Sequence, residues 1–430
     1  MERYAIGLDL GTSSAKAVLF SEKLGIIAKS TAPFSYRRAY LPSGAEYLGI
    51  DPEEFYRTVT GTIKELSAHL PAGADLSGIA MASASGNSLI CDRQGNAKIS
   101  AYSWLNKPFT EEIRAVFGEG FGSEVRESAG WGLSGSFPLG QLSHVRLNSP
   151  ELLSEENVVC MTTEYLLKRL TGEWGIDVST ATPFFFLDQK KRCWNKEYLS
   201  ALGLCEAQLP PLRESGDLLG SLTSRASADT GLPEGTKVFV GSFDHPTAAR
   251  ASGILKEGDL LVSCGTSWVC LFPMEDRESI VKNEFLCDPF LTPRGPWAAM
   301  CSLARASERI AEIVEKYIAS GENKFAELEK YAELSNGKTD GLSFNPLAKE
   351  LPDLSAYSKE SIARALMEGI AGKLKERISG TVKIDRIAMC GGPSSSKMWR
   401  QVISEVFGAE VTVTYGAHSG AVGAAMYALK

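Results

Sequence analysis

A turn of Gly, Thr and Ser lies against an apolar strand at two distant places in this chain. The first is Asp9-Leu10-Gly11-Thr12-Ser13-Ser14, after the run Tyr4 to Leu8. The second is Gly265-Thr266-Ser267, after Leu260 to Cys264. Small residues between strands expose backbone N–H groups and hydroxyls with no bulky side chain in the way, which is what a phosphate oxygen requires. Two such turns, one early and one past the midpoint, imply two similar half-molecules gripping one polyphosphate, and hence a nucleotide-dependent phosphotransferase.

The bulk properties allow this reading. A chain of 430 residues exceeds one ordinary core, so two large domains are expected. An apolar fraction of 44% with 23% charged residues is that of a globular protein. A net charge of −7 without a long Lys/Arg block argues against nucleic acid as a partner. Charged and polar residues interrupt Met1 to Phe20, so no signal peptide is expected there, and no apolar run reaches membrane-spanning length. Nine scattered cysteines without a C-x-x-C pair fit reduced thiols in a cytoplasmic enzyme better than disulfides or a zinc site.

The pattern predicts alternating strands and helices, an α/β chain. Strands are expected at Tyr4–Leu8, Ala15–Phe20 and Gly25–Ser30 as a meander. Asp51, Pro52 and Glu54 mark a helix start, and Phe55, Val59, Ile63 and Leu66 recur at helical spacing. Leu76–Ala82 and Ser88–Asp92 read as strands, and Val158–Leu170 as helix-like. A short strand is expected at Lys237–Gly241, and the domain boundary falls near residue 239, giving domains 1–239 and 240–430. Beyond it come strands at Leu260–Cys264, Val269–Phe272 and Arg386–Cys390, and helices at Ala304–Ile318, Lys359–Ile378 and Gly420–Leu429.

Three places carry the chemistry. In the first turn, Asp9 is placed to hold Mg²⁺, an ion that prefers oxygen ligands and keeps its waters. Gly11, Thr12, Ser13 and the nearby Lys16 are placed to meet phosphate. A plain hairpin with an exposed Asp explains that turn equally well when it is read alone. In the second, Gly241-Ser242-Phe243-Asp244-His245, Asp244 follows a buried strand and starts a helix. An acid there can be a general base toward a substrate hydroxyl and a further metal-side carboxylate, or simply a helix cap. His245 reads as its structural neighbour. In the third, Cys390-Gly391-Gly392-Pro393-Ser394-Ser395-Ser396, two glycines admit a flat or anionic ligand at a helix start.

In this order the segments resemble the FGGY carbohydrate kinase family, in the superfamily shared by actin, hexokinase and the heat-shock ATPases. The matching stretches are Tyr4–Phe20, Val238–Gly253, Leu260–Trp268, Ala365–Ala371, Ile387–Gln401 and Ser419–Ala428, joined by the Asp177-x-Ser-Thr-Ala run. The resemblance implies two actin-like (ribonuclease H-like) domains with a central ATP/sugar cleft, the N-terminal one mainly sugar-binding and the C-terminal one mainly nucleotide-binding. It implies ATP and Mg²⁺ as cofactors and a small sugar, sugar acid or polyol as substrate. Carried over by position, it makes Asp244 the base and Asp9 an organiser of Mg²⁺. Thr12, Ser13, Gly265 and Thr266 then face phosphates, while Gly391, Gly392, Pro393 and Ser396 line the nucleotide pocket.

The chain departs from the family at the acceptor end. Where members usually carry a Gln-Met-His-like stretch, it reads Ala82-Ser83-Ala84-Ser85-Gly86-Asn87. Where many carry Trp-x-Asp-x-Arg, it reads Trp104-Leu105-Asn106-Lys107-Pro108. The loop that usually follows Phe344-Asn345-Pro346 is nearly gone. Ser85, Asn87, Trp104 and Asn106 are therefore the expected acceptor contacts, joined by Asp244. ATP-dependent phosphorylation of a hydroxyl is the favoured reading; a nucleotide-binding sugar sensor without kinase activity is the alternative. The acceptor and oligomeric state, including a homodimer, stay open.

Overall fold

The computed structural model describes residues 2–290 and 296–429. They form two compact units: Met1–Ala248 with Asp276–Trp297 and Gly420–Lys430, and Ala249–Glu275 with Ala298–Ser419. Residue 239, where the sequence placed the boundary, lies inside the strand Lys237–Phe243. The first crossing comes later, within the helix Asp244–Ala251.

The sheet of the first unit runs in the order Gly25–Pro33, Ser14–Ser21, Arg3–Leu10, Asp75–Ser83, Lys237–Phe243, Leu218–Ser221. The first three form the expected antiparallel meander. The Arg3–Leu10 strand then pairs in parallel with Asp75–Ser83, which pairs in parallel with Lys237–Phe243. The helix Pro52–Ser67 begins where the sequence placed it: Asp51 Oδ1 accepts the N–H groups of Glu53 and Glu54, both at 2.9 Å, and Pro52 takes the first position.

The second sheet contains the strands Trp297–Leu303, Trp268–Met274, Asp259–Cys264, Arg386–Gly391 and Glu410–Thr412, in that spatial order. In both sheets the first strand pairs antiparallel with the next strand of the chain on one side and in parallel with a later strand on the other. This repeats the half-molecule logic implied by the two turns.

One expected element is corrected. Val158–Leu170 is not one helix: Asn157–Met161 is a buried strand paired antiparallel with Ser88–Asp92, and the helix is Thr162–Thr171. Adjacent β-branched Val158 and Val159 favour the strand, and a short apolar run reads alike in either state. Among the described residues no helix is long and apolar enough to cross a membrane.

The helix Ser419–Ala428 reaches the first strand through glycine. A Cβ on Gly7 would overlap the Ala421 carbonyl oxygen, and one on Gly423 would overlap that of Thr247. Gly7→Ala is expected to cost about 1–3 kcal/mol through overpacking, measured as a lower denaturation midpoint at unchanged m-value.

The Thr162–Thr171 helix carries Glu164, fully buried, with Oε2 accepting the Met161 N–H at 2.8 Å. Burial pushes this carboxyl up to about 8, against the Met161 N–H bond, and Asp177 adds to the rise. An unfolded Glu titrates near 4.3, so across the interval up to about 8 the native state holds a proton that the unfolded chain has released. Stability therefore falls as pH rises through that interval. Glu164→Gln keeps an acceptor for Met161 and removes the titration, and its Tm is expected to decline less than that of the parent between pH 5 and 8 in a scanning-calorimetry series.

Candidate active site

The ends of three parallel strands in the first unit lie level. Asp9 is paired with Ala82 and Ala82 with Ser242; one step on, Leu10 is paired with Ser83 and Ser83 with Phe243. The carboxyl edge of a parallel sheet is where α/β folds hold ligands, because loops and helix starts converge there. Asp9, the Ser83–Asn87 segment and Asp244 leave this edge together.

Asp9 is half-buried and paired across the hairpin with Lys16. Desolvation pushes its carboxyl up to about 6; Lys16 and His245 oppose the rise, and Asp244 adds to it. A carboxylate short of solvent and facing a second acid gains from a cation, and an all-oxygen donor set suits Mg²⁺. Gly420 packs against the same group: a Cβ there would sit 2.7 Å from Asp9 Oδ2. Close approach of the helix to Asp9 thus requires glycine.

The first turn is closed by Gly11 N–H to Ser14 O at 3.1 Å, which leaves Ser13 exposed and Thr12 half-buried. The Tyr36 hydroxyl donates to Thr12 O at 2.8 Å, and the Trp104 indole N–H donates to Thr12 Oγ1 at 3.2 Å. That second bond ties the expected acceptor loop to the expected phosphate turn. Asp244 opens the helix Asp244–Ala251 with its side chain 22% exposed, within reach of a ligand. The His245 N–H donates to Asp244 Oδ1 at 2.7 Å and orients the carboxylate.

Of the four expected acceptor contacts, Asn87 and Trp104 meet. The Trp104 N–H donates to Asn87 Oδ1 at 3.2 Å, and Ser85 Oγ is buried with no hydrogen-bond partner among the described residues. Asn106 behaves otherwise. Its Oδ1 accepts from Leu48 N at 2.7 Å, and its Nδ2 donates to Leu48 O at 2.8 Å and Ser103 O at 2.6 Å. With its acceptor and both donors engaged by backbone, Asn106 braces the loop that presents Trp104.

Residues that the sequence reading passed over complete the wall. Phe137 stacks on Trp104, ring centroids 6.5 Å apart, and Trp131 meets both Phe137 and Phe243 edge to face at 6.0 and 5.6 Å. The close fit of Phe137 against Gly86, φ +110°, leaves no room for a Cβ. The signal available was the aromatic pair set in small residues, Gly130-Trp131-Gly132 and Gly135-Ser136-Phe137, which reads as an ordinary loop until the contacts are known.

In the second unit, Gly265 and Thr266 are exposed on a turn closed by Gly265 N–H to Ser267 O at 3.2 Å. Ser307, at the start of the helix Ala306–Tyr317, fastens this turn. Its hydroxyl donates to Gly265 O at 2.6 Å and accepts the Trp268 indole N–H at 3.1 Å. Gly391, φ +86°, is paired with Cys264 so closely that a Cβ would overlap the Cys264 carbonyl oxygen. Gly392–Ser395 forms one 3-10 turn containing Pro393, and Ser396 caps the helix Lys397–Phe407 through the Trp399 N–H at 3.2 Å. The hydroxyls of Ser394 and Ser395 donate to the carbonyls of Gly391 and Gly392, at 2.7 and 2.9 Å. This serine run therefore fastens the turn, while Gly392 keeps an open face where an added Cβ would touch nothing.

Residues 4–250 match the N-terminal domain of the FGGY family of carbohydrate kinases, and residues 260–430 match its C-terminal domain. The chain belongs to the FGGY family of carbohydrate kinases. It is accordingly a phosphotransferase of two actin-like domains. The FGGY relatives include the xylulose kinase of Bacillus subtilis (strain 168), 27% identical over 99% of this chain and 88% of that protein. The gluconokinase of the same organism is 25% identical over 100% of this chain and 88% of that protein. A solved structure of Plasmodium falciparum glycerol kinase with ADP superimposes with a TM-score of 0.86 at 17% identity, covering 99% of this chain and 89% of that one. FGGY kinases act on sugars, so phosphorylation of a sugar is the shared activity.

Asn106→Ala removes three bonds to backbone and is expected to cost about 1–3 kcal/mol. Thermal unfolding should show it as a Tm lowered by roughly 2–4 °C per kcal/mol. A contact residue for the acceptor would instead leave Tm unchanged and raise the acceptor KM.

Proposed function

We propose that this chain transfers the γ-phosphoryl group of ATP to a hydroxyl of a small sugar, sugar acid or polyol, with Asp244 as general base. The observation that carries the reading is the placement of Asp244: a partly exposed carboxylate at a helix start, one residue beyond the strand end that lies level with Asp9 and Ser83. The bond from His245 N–H fixes Oδ1 and leaves Oδ2 to take the proton of the attacking hydroxyl.

The other roles follow the two units. In the first, Asp9 and Asp244 offer carboxylates to Mg²⁺, which when bound neutralises charge on the transferring phosphoryl group. Gly11, Thr12, Ser13 and Lys16 take phosphate oxygens. Ser85, Asn87 and Trp104 meet the acceptor with Phe137 and Trp131 behind, a mixture of hydroxyl, amide and aromatic face suited to a polyhydroxylated chain. In the second, Gly265 and Thr266 meet phosphate, and Gly391, Gly392, Pro393 and Ser396 border the nucleoside. ADP in the glycerol kinase structure supports an adenine nucleotide as donor, and the relatives' names support a ketose or an aldonate as acceptor. Nine free cysteines fit a reducing cytoplasm, where ATP is supplied.

Release of ADP measured across D-xylulose, D-gluconate, glycerol and related pentuloses, hexuloses and aldonates tests the reading and identifies the acceptor class. On the accepted compound, Asp244→Asn is expected to lower kcat by roughly 10²-fold or more while ADP binding by calorimetry stays near the parent value. Near-normal turnover in that variant would remove Asp244 as the base.

A further inference from the structure

Asp288 lies in a segment to which neither the turns nor the aromatic wall assigns a role. It is fully buried, as is Ser179 of the Asp177-x-Ser-Thr-Ala run. The Ser179 hydroxyl donates to Asp288 Oδ2 at 2.7 Å and accepts the Phe243 N–H at 3.4 Å. Phe243 directly precedes Asp244. We infer that the buried Asp288 carboxyl, acting through Ser179, fixes the peptide that presents Asp244 and is a positioning residue for phosphoryl transfer. The inference rests on the reading of Asp244 as base.

Both ends of this relay are held independently. Asp177 Oδ1 accepts the N–H groups of Ser179 and Thr180, each at 2.9 Å, which fixes where Ser179 can stand. The peptide before Asp288 is clamped from three sides. Cys287 N–H donates to Gly130 O at 2.9 Å, and Cys287 O accepts from Trp131 Nε1 at 3.0 Å and Gln189 Nε2 at 2.9 Å. One short segment therefore reaches the backbone beside the base through Asp288 and the acceptor-side Trp131 through Cys287.

Packing alone does not account for a carboxyl here. Asp288 Oδ1 is buried without a partner among the described residues, a costly state for a polar atom. The charged groups that act on it are Asp177 and Asp244, both acids, and burial pushes its carboxyl up to about 8. An apolar residue would fill the same space without that cost. What it could not provide is an acceptor for the Ser179 hydroxyl, which would then be free to rotate away from Phe243 N–H. A buried polar network that fixes one geometry at the expense of stability is the kind retained for positioning.

The test uses Asp288→Ala, Asp288→Asn and Ser179→Ala in the full chain, assayed on whichever of D-xylulose, D-gluconate or glycerol the parent phosphorylates. Asp288→Ala is expected to lower kcat at least tenfold, with the KM for ATP and the affinity for Mg-ADP within twofold of the parent. Asp288→Asn retains an acceptor oxygen for Ser179 and is expected to recover kcat to within threefold. Ser179→Ala should reproduce the Asp288→Ala loss, and it serves as the deciding variant if Asp288→Ala fails to fold. An unchanged kcat in Ser179→Ala, or an Asn variant as impaired as the Ala variant, overturns the inference. Asp244→Asn assayed in parallel separates the two readings. Turnover retained there removes the base, whereas Asp244→Asn inactive beside fully active Asp288 and Ser179 variants removes only the positioning role.

Discussion

The first unit is organised around a contact that only glycine permits. The Ser419–Ala428 helix lies against the Arg3–Leu10 strand where Gly7 has no side chain, and its own Gly420 and Gly423 bring it against Asp9 and Thr247. A helix and a strand normally keep the thickness of their side chains between them. Here that layer is absent, and helix backbone reaches the carboxyl edge of the sheet. The environment of Asp9 follows: a carboxylate crowded by backbone loses water and is held protonated to higher pH unless a cation compensates. Its place on the strand and its electrostatics come from one packing decision.

The two units answer the same problem differently. Both place a small-residue hairpin turn at the end of their first strand and a parallel neighbour beside it. In the first unit the parallel neighbours lead into Ser85, Asn87 and Asp244, groups that can bond or deprotonate a hydroxyl. In the second, the neighbour Arg386–Gly391 leads into a glycine turn whose serines bond their own backbone. One side of the repeat retains free polar groups; the other satisfies them internally and offers backbone and open space. That contrast distinguishes the two units more clearly than the turns, which are alike.

The strands, the Asp51 cap and the acids at strand ends were legible because each has a local cause: an apolar run, a side chain bonding the next turn, an acid placed where a strand stops. Asn106 was read from its amide alone, since sequence does not show its partners, which are two backbone groups of Leu48 and one of Ser103. Trp131, Phe137 and Asp288 were missed for a related reason. Their significance lies in contacts with residues far away in the chain, such as Trp131 with Cys287 and Asp288 with Ser179. The unit boundary was illegible because it depends on which segments return, and neither Asp276–Trp297 nor Gly420–Lys430 announces its destination in its composition.

That return of the chain has a consequence during synthesis. At a translation rate of about 5–20 residues per second, the ribosome needs roughly 20–80 s to reach Gly420 after starting the first strand. For all of that time the Gly7 face of the first sheet lacks its covering helix, and the groove beside Asp9 stays open to water. The second unit, with its last segment ending at Ser419, has its full complement of residues first. The first sheet therefore stays uncovered until the Ser419–Ala428 helix emerges, and Asp9 acquires its environment only after the residues of the second unit have been made.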